Sequence, residues 1–241
     1  MAATPLLSVV IPVYNERKDL PVTLARVARS PFKKEVIIVD DRSQDGTREW
    51  LQRLKAGRER VPGLVPRDTR ILFHEVNRGK GSALRTAFGQ VRGRYVIIQD
   101  ADREYDPADF PQLLEPLIKQ DADVVYGTRL TGGGVHRVLF FWHSVGNALL
   151  TLFSNMMTNL NLTDMETGYK AFRADVLRRF RITSDRFGVE PELTAKFARL
   201  KCRIYEVPIS YHGRTYDQGK KITWRDGIAA FLHIVRFRFF D

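Results

Sequence analysis

Five short apolar runs, at residues 7–13, 35–40, 70–74, 95–99 and 123–126, alternate with four stretches of helical periodicity. No other feature of the sequence constrains the fold as tightly. The helical stretches cover residues 20–28, 47–54, 82–91 and 110–118, each with apolar positions three and four apart. Strand and helix in regular turn predict an α/β chain with a mostly parallel sheet sandwiched by helices. Pro12 is expected to end the first strand, because its nitrogen cannot donate to a central ladder. Residues 55–68, rich in Arg, Gly and Pro, read as a surface loop. With 241 residues and 44% hydrophobic content, the chain suits a single domain over 1–241, divided near residue 130.

Beyond that point the pattern changes. Thr131-Gly132-Gly133-Gly134 breaks the chain, and residues 138–163 then contain no Asp, Glu, Lys or Arg. Polar residues recur there every three to four positions among Phe141, Trp142, Leu149, Leu152 and Met156, which predicts a long amphipathic helix. Its polar stripe would be stranded in hydrocarbon, so it reads as an interfacial helix rather than a membrane span. Packing on the core or on a second copy in a homodimer is the alternative. Residues 224–240 repeat the theme, mixing Phe231, Phe237, Phe239 and Phe240 with Arg225, Arg236 and Arg238, as suits a lipid headgroup boundary.

The net charge of +11 is concentrated in residues 170–241, which hold 16 Lys/Arg against 8 Asp/Glu. Such an excess calls for an anionic partner: a bilayer surface, a phosphorylated substrate or a nucleic acid. No zinc-ligand spacing or aromatic ribonucleoprotein motif is present, which argues against nucleic acid. A single cysteine, Cys202, excludes an internal disulfide and fits a reducing compartment. The N-terminus lacks the basic start and apolar run of a signal peptide, so a cytoplasmic placement, peripheral on the inner face of a membrane, is expected.

Open parallel sheets bind ligands at the carboxyl ends of their strands. Here those ends read Pro12-Val13-Tyr14-Asn15-Glu16, then Asp40-Asp41, then Gln99-Asp100-Ala101-Asp102-Arg103-Glu104. Asp45 suits a helix cap, and Asp41 can bond its own turn. Asp100 and Asp102 are different, since two carboxylates that close repel unless a cation neutralises them. Hard oxygen ligands of this type suit Mg2+ or Mn2+, which share their coordination with substrate phosphates. Asn77-Arg78-Gly79-Lys80-Gly81-Ser82 fails as a Walker A loop, because His74 stands where its first glycine belongs. The free amides of a helix start, with Lys80, still predict an anion site.

These motifs together, with Tyr126-Gly127-Thr128-Arg129, Asp164-Met165-Glu166-Thr167-Gly168-Tyr169-Lys170 and Gly219-Lys220-Lys221, resemble the family 2 glycosyltransferases of the GT-A fold. The dolichyl-phosphate mannose or glucose synthase-like branch is the most similar. The resemblance spans essentially the whole chain and keeps the family's order. It implies a nucleotide-sugar-binding half over 1–130 and an acceptor-binding half over 131–241. Pro12, Tyr14 and Glu16 are implied to border base and ribose, Asp40 to bond the base, and Asp41 and Lys80 to complete the donor set. Asp100 and Asp102 are implied to hold metal and diphosphate, with Glu104 at a metal-reaching position that is often glutamine. Arg129 matches an arginine that touches the acceptor phosphate. Arg214, Lys220 and Lys221 lie on a glycine-flanked basic segment that can close over the diphosphate as a lid.

The expected reaction is inverting transfer of a hexose from GDP-mannose or UDP-glucose to a polyprenyl phosphate. Such an acceptor is already anionic and needs no strong base. A hydroxyl acceptor, as in a soluble polysaccharide-building enzyme, requires a carboxylate to take its proton, and Glu190, Glu192 and Asp164 are the candidates. A non-catalytic nucleotide-sugar-binding subunit is the third reading. It would have little reason to keep Asp100 and Asp102 together.

Overall fold

A computed structural model describes residues 5–130, 140–186, 188–214 and 224–240. The first half follows the alternation read from the sequence: β1 (Leu7–Val13), α1 (Leu20–Arg29), β2 (Lys34–Asp40), α2 (Thr47–Lys55), β3 (Thr69–Phe73), α3 (Lys80–Phe88), β4 (Tyr95–Ile98), α4 (Phe110–Lys119) and β5 (Val124–Thr128). The second half adds α5 (Phe141–Thr158), β6 (Lys170–Arg173), α6 (Ala174–Leu177), α7 (Val189–Arg199), β7 (Ile204–Pro208) and α8 (Trp224–Phe239). The seven strands form one sheet in the order β3-β2-β1-β4-β6-β5-β7. All pairings are parallel except those of β6, which runs antiparallel between β4 and β5.

Both faces of the sheet are covered. Leu7, Val9, Ile11 and Val13 of β1 pack with Leu24 of α1, Leu51 of α2 and Leu113 of α4. The alternate residue, Val10, joins Leu84 of α3, Phe197 of α7 and Ile234 of α8 on the other face. This follows from the two-residue period of a strand, and each such buried side chain stabilises the fold by about 1.5–3 kcal/mol. Phe172 of β6 anchors the second layer, with ring centroids 5.7 Å from Phe88 and 5.5 Å from Phe197.

Two expectations need correction. Pro12 does not end β1, which continues to Val13 in register with Asp40 of β2. The β1–β4 ladder stops earlier, at Val10 and Ile98, with one last bond from Gln99 N to Val10 O. Residues two apart point to the same neighbour, so Pro12 withholds its missing N–H from the β4 side. It ends one ladder, not the strand. In addition, α3 starts at Lys80 rather than residue 82 and stops at Phe88, before Gly89.

α5 and α8 pack against each other, with the Phe153 and Phe231 rings 5.3 Å apart. Their outer faces leave Trp142, Leu149, Leu152 and Met156 of α5 and Leu232 and Phe239 of α8 exposed. Among the described residues, no helix is long and apolar enough to cross a membrane. The segment 131–139 and most of the basic segment, including Lys220 and Lys221, lie outside the described residues.

Candidate active site

The pairing of β1 with β2 and β4 brings three acidic strand ends to one edge of the sheet. At its centre is Lys80, whose Nζ lies 2.8 Å from Asp100 Oδ1 and 2.9 Å from Glu190 Oε1. Burial opposes the ammonium charge there. Asp100 and Glu190 outweigh it and hold the Lys80 pKa well above its ordinary value.

How Lys80 gets there differs from the expected anion-binding helix start. The amides of Arg78 and Gly79 donate to Asp41, at 3.0 and 2.6 Å, and Ser82 N donates to Asp185 O. Gly79, at φ +95°, lies so close to the 184–186 segment that a β-carbon would sit 2.5 Å from Asp185 O. The amides of Arg78, Gly79 and Ser82 are therefore used inside the protein. What the turn delivers is the lysine side chain.

The carboxylates divide into those facing the site and those used by the fold. Asp41 is buried and also accepts from the His74 ring at 2.8 Å, so it shapes the glycine turn rather than its own turn or an open donor pocket. Asp40 is fully buried, accepting from Arg48 at 3.1 Å and from Ser43 N at 3.3 Å. Asp45 is not the cap of α2, a place taken by Gly46; it accepts from Thr47 N and Arg17 N and so ties the turn to the loop after β1. Glu192 is saturated by Thr183 N, Ser184 N and Lys196, and Asp164 by Arg129, which removes both as general bases. Of the three candidates only Glu190 stays at the cluster.

Asp102 accepts from Glu104 N at 3.1 Å. Burial, then the nearby charges of Asp100 and Glu104, push its pKa up to about 8. Glu104 itself turns toward the segment that follows β7, accepting from Arg214 N at 2.7 Å and Tyr211 OH at 3.2 Å. Among the described residues, no group of three or more His, Cys, Asp or Glu side chains is arranged to hold a metal ion. Arg214 is paired with Glu16 at 2.8 Å and Asp19 at 2.7 Å, which ties the segment after β7 to the loop after β1. Pro12 is buried in that region, and Tyr14 is exposed.

Arg129 meets Asp164 edge to edge: Nε to Oδ2 and Nη2 to Oδ1 are both 2.6 Å. Burial raises the carboxyl's pKa, but Arg129 outweighs it and holds Asp164 below the usual range. Asn147 of α5 bonds both partners, accepting from Arg129 at 3.4 Å and donating to Asp164 at 3.2 Å. The loop after Asp164 then reaches back to the acidic cluster. A β-carbon at Gly168 would lie 2.3 Å from Asp100 Oδ2, so only glycine lets the two approach. Gly168 N donates to Tyr105 OH at 2.7 Å, and Tyr169 OH to Gln99 at 2.6 Å.

Asn147, Tyr105, Gln99 and the interior pair Glu166 and Lys170 carry no signal in spacing alone. Burial pushes Glu166 up to about 7, helped by Glu190. Burial also lowers Lys170 to about 8, against the pull of Glu190 and Glu166. Lys170 Nζ donates to the Met165 and Thr167 carbonyls and sits 4.8 Å above the Tyr126 ring.

A mostly parallel sheet covered by helices on both faces, with carboxylates at its strand ends, is the architecture of a GT-A glycosyltransferase. The chain belongs to glycosyl transferase family 2, whose model matches residues 8–181. The undecaprenyl-phosphate mannosyltransferase of Micrococcus luteus is 34% identical over 88% of this chain and 85% of its own length. The polyprenol monophosphomannose synthase of Mycolicibacterium smegmatis is 28% identical over 88% of this chain and 79% of its own. The fold also matches glucosyl-3-phosphoglycerate synthase from Mycobacterium tuberculosis, solved with Mn2+, UDP and phosphoglyceric acid. That match has a TM-score of 0.70 at 19% identity, over 98% of this chain and 80% of the other.

Proposed function

We propose that this glycosyltransferase moves a hexose from a GDP- or UDP-sugar to a polyprenyl phosphate, dolichyl or undecaprenyl, with inversion at the anomeric carbon. The observation that carries the reading is the short loop 164–168, which links an acidic, lysine-bearing cluster to an arginine at the foot of an apolar-faced helix. The first suits a donor diphosphate, the second the phosphate of a lipid. The names of the Micrococcus and Mycolicibacterium relatives point to the same acceptor class.

The acceptor phosphate oxygen attacks the anomeric carbon from the face opposite the donor diphosphate. A carbon–oxygen bond to the acceptor forms as the bond to the diphosphate breaks, and its electron pair leaves with the nucleotide. Lys80 and Arg214 would stabilise that charge. Arg129 holds the acceptor phosphate in line, and Glu190 orients Lys80. No proton has to be removed from an acceptor that is already anionic.

The carboxylates fit a divalent cation, because Asp102 is buried beside two further negative charges and offers hard oxygen donors. Asp100 and Asp102 would hold Mg2+ or Mn2+, with Glu104 joining once Tyr211 and Arg214 release it. When bound, the ion neutralises charge on the diphosphate leaving group. The exposed α5–α8 face, edged by Arg236 and Arg238, would rest on the cytoplasmic leaflet as a peripheral contact. A homodimer through the same face is the competing use of that surface.

The test supplies labelled GDP-mannose or UDP-glucose, Mn2+ or Mg2+ and undecaprenyl phosphate in anionic vesicles. Label entering the organic phase supports the reading; turnover only with a soluble hydroxyl acceptor overturns it. Flotation with the same vesicles tests the membrane contact, and a protein that stays at the bottom as a dimer assigns the face to self-association.

A further inference from the structure

The loop that joins the two halves of the site contains an anomaly. Glu166 Oε1 and the neighbouring Thr167 Oγ1 are shut off from solvent and have no hydrogen-bond partner, a condition shared by only two other side-chain atoms among the described residues. Buried polar atoms are almost always satisfied, so two consecutive failures in one loop call for a cause. Disorder of the loop is not the cause. Asp164, Gly168, Tyr169 and Lys170 on either side are all firmly bonded.

The natural internal partner for Glu166 is Lys170, four residues on. Its ammonium is instead committed to the carbonyls of Met165 and Thr167. Glu166 thus stays unpaired beside a lysine that could have satisfied it. Along the loop it stands between Asp164, which pairs with Arg129 on the acceptor side, and Gly168, which packs on Asp100 on the donor side. In an in-line displacement, the transferred ring must lie between those two sides. A hexose ring offers hydroxyl donors, and a carboxylate oxygen without a partner can accept one.

We propose that Glu166 is a specificity-determining residue of the transfer site, accepting a hydrogen bond from a ring hydroxyl of the hexose being moved. Rotation about the last side-chain bond exchanges its two oxygens, so either can meet the ring. This rests on the glycosyl-transfer reading above and adds the group that distinguishes one hexose from another.

The test is calorimetric titration with Mn2+ present, using UDP-glucose, UDP-galactose and GDP-mannose alongside UDP and GDP. Wild-type protein should bind its preferred nucleotide hexose more tightly than the bare diphosphate. Glu166→Ala should weaken that hexose by about tenfold or more, while UDP and GDP stay within about twofold. Preference among the hexoses should collapse with it. The variant should also melt higher than wild type, because an unpaired buried carboxyl has been removed; a purely structural glutamate would do the opposite. Equal weakening of hexose and bare diphosphate, or unchanged preference, overturns the proposal. If wild-type protein binds no nucleotide sugar at all, the glycosyl-transfer reading fails first, and this one with it. If it binds nucleotide hexose no better than nucleotide, only this proposal fails.

Discussion

Gly188 and His233 are in direct contact: a β-carbon on Gly188 would lie 2.8 Å from the imidazole. Gly188 caps α7, whose second residue is Glu190, so α8 packs against the start of the helix that orients Lys80. The backbone there, at φ −79°, accepts any residue, so the glycine is required by the ring alone. Gly188→Ala should therefore destabilise by about 1–3 kcal/mol through overpacking and lower kcat/KM. Adding His233→Ala should recover most of both losses. Melting and turnover of the two singles and the double give the coupling directly, and additive losses would show that the contact does not matter.

Asp102 gives the pH dependence. Its pKa near 8 means that a cation binding there must displace a proton at neutral pH. Mn2+ affinity should rise about tenfold per pH unit between 6 and 8, then level off, and Asp102→Asn should flatten the curve. In metal-free protein the raised pKa acts against folding. The unfolded carboxyl ionises near its model value of 3.8, so this group's contribution is intact below that pH and is lost up to about 8. Thermal melts without metal, at each pH, read that loss.

Asp164→Asn leaves the Arg129 guanidinium buried with half its partner gone. Removing one member of a buried pair costs about 3–5 kcal/mol, so denaturant midpoints should fall accordingly. Because the native Asp164 pKa is depressed, its stabilisation is present above the unfolded value and disappears as pH drops through the folded one. The variant's stability should accordingly vary less in acid than that of wild type.

Gly168→Ala places a methyl group 2.3 Å from Asp100 Oδ2 and 2.9 Å from the Tyr105 ring. One of the two must move, and a shift of Asp100 breaks its pairing with Lys80. Turnover should fall by about 100-fold with the circular dichroism spectrum unchanged. Near-normal activity in a folded variant would falsify the tight packing of Asp100 on this loop.

Much of this was legible in the residues themselves. β1, β2 and β4 are runs of Val and Ile long enough to announce buried strands, and Asp100 stands out because it ends one of them. β6 is the opposite case. Its four residues, Lys-Ala-Phe-Arg, have charge at both ends, and its place in the sheet depends on strands about 50 and 75 residues earlier in the chain. Carboxylates show the same divide. The partners of Asp41 and Asp164 come from distant segments, so nothing near them in sequence shows that they are already used. Glu166 stands inside the 164–170 motif, but its isolation shows only in the fold, since what marks it is a partner that its Oε1 does not have.

The placement of β6 also bears on how far the protein can be cut apart. A strand from residues 170–173 fills the gap between β4 and β5, both from the first 130 residues. A fragment ending near residue 130 would keep Asp40, Lys80 and Asp100 yet leave two bare strand edges facing each other, a template for aggregation. Residues 1–130 and the remainder of the chain are therefore not modules that could be exchanged between relatives. They are interleaved, and any chimera has to carry its own Phe172 to close the sheet.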